Sequence, residues 1–384
     1  MKESNRSEVK MNQNTRRILC RSSFLAFVFL IVNSSAYAQD VSFASFPEVE
    51  SKSDRKIHVQ GNASFYLESH SLPTSKREQT DLDLNEFHFA VDFQMQPEIS
   101  LQIHPEITRN SRDNAGTKNN DQQVRFRGAT LNRRFAETGF SFSVGLLEPN
   151  INEKYFDQYA SLRWMHPVLR PIEERYRLFP DSDLGIRLIY RQEGLSVDGS
   201  YTNGEGQGPE AGSRKSTQLR VKWDQYRFLQ LWGFYLSGGD ETYAVEIAKI
   251  EVYQLGLTSE LGLFTLSGSY TSTVHPADRL TSSKAWSGVD LLAYANQSVK
   301  GNAIDVSISA ELGRILPFVK WTQGTPVEQN RDYSFQQNVY GVAYDLGPSE
   351  NLGFYTYRLR LNEKHSLQSK DQDGFGISYA LFLN

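Results

Sequence analysis

The chain has 384 residues, of which 39% are hydrophobic, 22% charged and 12% aromatic, with a mean hydropathy of -0.50. No apolar run reaches the ~18 residues that a spanning helix requires, which excludes a helical membrane protein. Six of the 41 Lys/Arg and two of the 45 Asp/Glu fall in residues 1–38, so the remainder carries a net charge of -8, a sign that argues against nucleic-acid phosphates as partner.

Residues 1–38 read as a leader. Arg16, Arg17 and Arg21 precede nine apolar residues, Phe24 to Val32, and then Ala36-Tyr37-Ala38 stands before Gln39. A basic start, a short apolar centre and an Ala-x-Ala ending are the pattern of a cleaved secretory signal, so this segment stays outside the fold argument. Cleavage is expected after Ala38, with Met11 an alternative start to Met1. Cys20 lies before the apolar centre, the wrong side for a lipid-modified cysteine, and leaves with the leader. The mature chain then has no thiol, which removes disulfides and Cys-ligated metals. Residues 39–56 are expected to be a short periplasmic lead-in.

From Ile57 onward one pattern recurs: segments of about ten residues, apolar at every second position, separated by Gly/Asn/Asp/Ser stretches. Such segments, each weak alone, are how a transmembrane barrel appears in sequence. The expected strands are 57–67, 82–94, 98–109, 122–135, 139–147, 184–192, 195–203, 215–227, 229–238, 244–258, 260–272, 303–311, 314–323, 335–346, 350–361 and 373–384. The fold class is therefore all-β, an antiparallel transmembrane barrel of about sixteen strands. Eighteen follow if Ser287–Tyr294 forms a strand of its own. Short connections at 95–97, 193–194, 259–260 and 347–348 alternate with long ones at 68–81, 110–121, 148–183, 204–214, 273–302, 324–334 and 362–372. Short turns inside and long loops outside are the asymmetry expected of such barrels. The third long connection, 148–183, is expected to fold into the lumen and narrow it, because loops of that length in compact domains usually carry a task.

Face assignment follows from the two-residue repeat. A cation facing the bilayer midplane costs about 2–4 kcal/mol, so the apolar set of each strand meets lipid and the charged set meets the lumen. In strand six Leu184, Ile186, Leu188 and Tyr190 take the lipid face, which leaves Arg187 and Arg191 inside. The same argument directs Arg125 and Arg127 inward against Val124 and Phe126. It directs Arg220 and Lys222 inward against Leu219, Val221 and Trp223, and Arg358 and Arg360 inward against Tyr357, Leu359 and Leu361. Trp223, Trp232, Trp321, Tyr226, Tyr355 and Tyr379 are expected near strand ends at the headgroup level. Phe375 to Leu383, at odd positions, form the apolar face of a closing strand.

The long connection holds Arg163, Arg170, Arg175 and Arg177 beside Glu173 and Glu174, which makes these six the expected constriction residues. Guanidinium groups at a constriction favour anions and carboxylates favour cations, and the two facing one another create a transverse field. Alternatively these charges pair with each other or with the wall arginines and pin the loop. The glycine-rich run Gly204 to Gly212 lacks the Lys-Ser/Thr and the helix of a phosphate cradle and reads as an outer loop. The seven histidines show no ligand spacing and no Gly-x-Ser-x-Gly occurs, so neither a metal site, a cofactor nor an enzyme is expected.

Four pieces in order carry a family resemblance: Val144-Gly145 with the exit Glu148-Pro149, then Glu174-Arg175, then Asp183-Leu184-Gly185, then Asn203-Gly204. In these the chain resembles the phosphate-selective porin O and P family. The resemblance implies a sixteen-stranded, trimeric, anion-passing channel of a Gram-negative outer membrane, with lipid outside and small hydrophilic anions inside. Two other readings stay open on the sequence, a surface-interaction protein using its long loops and a barrel enzyme.

Overall fold

The computed structural model describes residues 56–71, 78–109, 122–135, 138–148, 178, 182–203, 215–226, 228–239, 249–276, 286, 292–294, 297–362 and 372–383. The expected leader, the lead-in up to residue 55 and the glycine-rich run lie outside the described residues, while Lys56, expected to end the lead-in, opens the first strand.

Among the described residues sixteen strands form a closed antiparallel barrel, each paired with its neighbours in sequence and β1 closing on β16. They are β1 Lys56–Ser71, β2 Glu78–Gln96, β3 Ile99–Arg109, β4 Gln122–Arg134, β5 Phe140–Leu147, β6 Asp183–Gln192, β7 Leu195–Thr202 and β8 Ser216–Tyr226. The second half comprises β9 Leu229–Gly239, β10 Lys249–Leu261, β11 Phe264–Pro276, β12 Ser298–Ala310, β13 Ile315–Thr325, β14 Phe335–Gly347, β15 Glu350–Leu361 and β16 Gln372–Leu383. Closure removes the sheet edges that lipid would leave without hydrogen bonds. Both ends of the barrel segment lie at the short-turn rim.

The additional strand that 287–294 could have supplied does not form at its end, where Leu292–Tyr294 is a 3-10 turn. The short connection expected at Ser259-Glu260 is displaced to Gly262-Leu263, between the paired Leu261 and Phe264. Gly262 takes a φ of +65°, the left-handed conformation a two-residue hairpin demands, and Ser259 and Glu260 instead pair with Leu266 and Thr265. The β6–β7 turn falls where the sequence puts it, with Glu193 and Gly194 both at positive φ.

Alternation holds around the wall. Leu184, Ile186 and Leu188 are exposed on the outer face, as are Leu219, Val221, Leu255, Ile304, Ile308, Val319, Phe354 and Phe375. Opposite them, on the inner face, stand buried Asp198, Ser200, Gln218, Arg220, Thr271, Asp305, Lys320 and Gln337. In β4 the phase changes once: register shifts at His104/Pro105, opposite Arg127. Below the bulge Ala129 and Leu131 share the outer face with Leu146 and Val144, while above it exposed Phe126 pairs with Pro105. Without that extra residue Arg127 would share a face with Leu131 and point at lipid.

A Cβ on Gly194, at φ +78°, would lie 2.6 Å from the Gln225 Cα. Gly194→Val is expected to lower the unfolding free energy of the refolded barrel by about 1–3 kcal/mol, read from urea titration in detergent.

Candidate functional site: the inner wall

Strands β3 to β8 carry a line of charged side chains across the inner face. His104 of β3 meets one carboxylate oxygen of Glu148, just beyond β5, and Arg127 Nε of β4 lies 3.3 Å from the other. Arg187 of β6 donates through a guanidinium nitrogen to the Glu148 carbonyl oxygen, and its Nε lies 3.7 Å from Asp198 Oδ1. Asp198 of β7 stands opposite Arg220 of β8, whose Nη2 is 3.6 Å from Oδ2. Nearer the short-turn rim Lys222 Nζ pairs with Asp224 Oδ2 at 2.9 Å.

Their positions follow from local sequence. Alternating Ser196-x-Asp198-x-Ser200-x-Thr202 gives β7 a wholly polar inner face, against an outer one of Leu195, Val197, Gly199 and Tyr201. Gly128 makes room for Glu148: a Cβ there would lie 3.1 Å from its carboxylate oxygen. Arg187 and Arg127 are 13% and 14% exposed, Glu148 22%, so the outer links of the line reach lumen water, whereas Asp198 and Arg220 are 1% and 4% exposed and hold the wall together.

The inner face of β9 to β16 is different. Trp232, Phe234, Leu236, Val252, Val299, Phe318, Phe335, Val339, Tyr355, Tyr357 and Leu359 form one buried apolar cluster. Trp286, from the β11–β12 connection, is fully buried in it, donates from Nε1 to Thr273 Oγ1 at 3.0 Å and packs edge-on against Phe335. Leu178, from the long β5–β6 connection, belongs to the same cluster at 2% exposure, which puts that residue inside the barrel. Within this half the charges are matched: Lys320 Nζ is 3.2 Å from Asp305 Oδ2, Thr322 donates to Asp305 Oδ1 at 2.8 Å, and Tyr357 donates to Glu68.

Of the wall residues expected from sequence, Arg127, Arg187, Arg220 and Lys222 are on the inner face. Arg191 is in phase with them, opposite buried Ser196 at the short-turn rim. Arg125 stands opposite Glu106 in register, with its side chain outside the described ones. Arg358 and Arg360 are corrected: they lie on the outer face, opposite Asn338 and Gln336, while Tyr357 and Leu359 face inward. The assumption that an apolar row must meet lipid fails there because Tyr355, Tyr357 and Leu359 join an apolar cluster inside the barrel. For the same reason Trp232 and Tyr355, expected at the headgroup level, are inside. The six constriction residues Arg163, Arg170, Glu173, Glu174, Arg175 and Arg177 lie outside the described residues. Sequence reading missed His104, Asp198 and the Asp305–Lys320 pair, although the strict alternation of β7 contained the signal for Asp198. No cluster able to hold a metal occurs among the described residues.

A closed sixteen-stranded barrel with an apolar exterior and a charged inner wall defines a transmembrane β-barrel of porin type. No family model and no curated protein matches the chain. Solved structures similar in fold include OmpT of Vibrio cholerae, at 11% identity and TM-score 0.57, covering 86% of this chain and 98% of that one. The anion-selective porin from Comamonas acidovorans matches at 12% and 0.60 over 86% and 100%, and the outer membrane channel DcaP of Acinetobacter baumannii at 10% and 0.60 over 87% and 99%.

Removing Asp198 takes away a carboxylate that lies within 3.7 Å of two guanidinium groups on a poorly solvated wall, whereas Asp373, beside Arg358 and Arg360, is 49% exposed. Asp198→Ala is expected to cost about 3–5 kcal/mol in urea unfolding and Asp373→Ala about 0–1 kcal/mol. Equal losses would remove the structural role assigned to Asp198.

Proposed function

We propose that the chain is an outer-membrane porin of a Gram-negative bacterium, a passive diffusion channel for small hydrophilic solutes. The observation that carries this reading is the polar inner wall of β3–β8 inside a lipid-compatible exterior. A barrel of this strand number leaves an aqueous lumen. The apolar cluster fills part of the β9–β16 side, so water and solutes run along the charged side. Diffusion rather than catalysis is the activity, with no cofactor, and the assembly is a homotrimer set in outer-membrane lipid.

The preference is for anions, phosphate-like in the sense of the family resemblance. Arg127, Arg187 and Arg220 outnumber the two carboxylates of Glu148 and Asp198 that bind them. Asp183 and Glu106, also buried on the inner face, offset that excess, so the wall by itself contributes no net positive charge and the preference rests on the long connection. There the guanidinium groups Arg163, Arg170, Arg175 and Arg177 supply it, against Glu173 and Glu174.

Reconstituted in a planar bilayer, the protein is expected to conduct in discrete steps and to give a reversal potential of anion-preferring sign in a salt gradient. Absence of conductance from a folded barrel would favour the surface-interaction or enzyme reading instead. The double change Arg175→Glu and Arg177→Glu is expected to shift the reversal potential toward cations, as is Arg187→Glu alone. A potential unmoved by either removes those groups from the solute path.

A further inference from the structure

Trp286, from the β11–β12 connection, sits on the inner wall in a seat built by four strands. Its φ of +63° is the left-handed conformation, which a bulky residue keeps only where the surroundings hold it there, and residues so held gather at clamps and switches. The indole is fully buried, and two glycines of the wall leave the room for it. A Cβ on Gly301 of β12 would lie 2.9 Å from the indole Nε1, and one on Gly324 of β13 would lie 3.1 Å from its Cζ3. Thr273 of β11, paired in register with Gly301, accepts the Nε1 hydrogen bond at 3.0 Å. Phe335 of β14, paired with Gly324, meets the indole edge-on with ring centroids 6.3 Å apart.

The β13–β14 connection reaches the same place. Its Val327 and Tyr333 are 0% and 2% exposed, in the cluster that holds Trp286. The Glu328 N–H donates to the Lys300 carbonyl of β12 at 2.8 Å. Asn362, just beyond β15, donates from its backbone to the Ser334 carbonyl at 3.0 Å and from its side chain to the Arg331 carbonyl at 2.7 Å. Tyr294 of the β11–β12 connection accepts from Asn330 Nδ2 at 3.2 Å and packs edge-on against Tyr333, with centroids 5.7 Å apart. Buried side chains of two connections from the long-loop rim are therefore tied to the wall and to each other, and Trp286 is the one inserted between wall glycines.

We propose that Trp286 is a latch. With its indole in this seat, the β13–β14 connection stays folded into the long-loop mouth, and the entrance so narrowed limits the size of solute that passes. The size limit rests on the channel reading, whereas the seating does not.

The test follows amide hydrogen exchange of residues 326–334 by mass spectrometry on the full-length folded protein, alongside single-channel conductance in planar bilayers with polyethylene glycols of graded size as pore-sizing probes. Trp286→Ala is expected to speed exchange at 326–334 by about a hundredfold or more, the scale that loss of a buried indole sets for local opening. The same variant is expected to conduct more per channel than wild type and to admit polyethylene glycols that wild type excludes. Trp286→Phe, which keeps a ring without the N–H, should change both less. Gly301→Ala, which fills the seat from the wall and leaves Trp286 in the sequence, should move both in the direction of the Trp286→Ala variant. Heat-modifiable gel mobility checks that each variant is folded. Unchanged exchange at 326–334 in folded Trp286→Ala overturns the latch. Faster exchange with conductance and probe limit both unchanged overturns its part in setting solute size. No conductance from wild type or from folded Trp286→Ala, with faster exchange in the variant, overturns the channel reading and the size limit together and leaves the seating in place.

Discussion

Everything in this molecule depends on the closure of a hydrogen-bonded sheet on itself. Hydrocarbon offers no partner for a backbone N–H or C=O, so a strand crosses lipid only when both its neighbours are present. Closure of β1 on β16 through the register from Gly61–Leu383 to His70–Gly374 satisfies that demand for the whole wall. It also splits every strand into two faces with opposite solvents, since side chains alternate. The chain's chemistry then follows from which residues occupy which phase.

The two faces are not uniform around the circumference. On β3 to β8 the inner face carries the paired charges from His104 to Arg220, and the short, regular β5 to β8 keep them in one band. On β9 to β16 an apolar cluster shares the inner face with buried polar side chains such as Thr271, Asp305 and Lys320, and includes Trp286 and Leu178 from two of the connections. An apolar cluster on one side and a charged, polar wall on the other make the interior asymmetric. Close packing also fixes the connections that reach it, because apolar side chains entering the mouth gain more from that cluster than from water.

Charges in such a wall serve position as much as selectivity. Asp198 stands between Arg187 and Arg220, within 3.7 Å of both, and its charge offsets theirs across three adjacent strands. Glu148 ties β3, β4 and β6 together at the point where the chain leaves β5 for its longest connection. The charged residues of the wall therefore also hold the root of the longest connection.

The period-two pattern alone determined the barrel, a strand number of sixteen or eighteen, most strand ends and the inward phase of Arg127, Arg187, Arg220 and Lys222, because lipid tolerates only one of the two faces where hydrocarbon is thick. Turn positions were legible where glycine demanded them, as at Gly194, and were misplaced by a few residues at Gly262, where Ser259 and Glu260 looked equally turn-like. What only the tertiary structure decided was the sense of the phase wherever both faces could be apolar. In β15 the row of Tyr355, Tyr357 and Leu359 was as fit for lipid as for an interior, and only its packing against β14, β16 and the mouth sent it inward and Arg358 and Arg360 out. The bulge opposite His104 is of the same kind: alternation is local, whereas the residue that interrupts it is set by the register of a neighbouring strand.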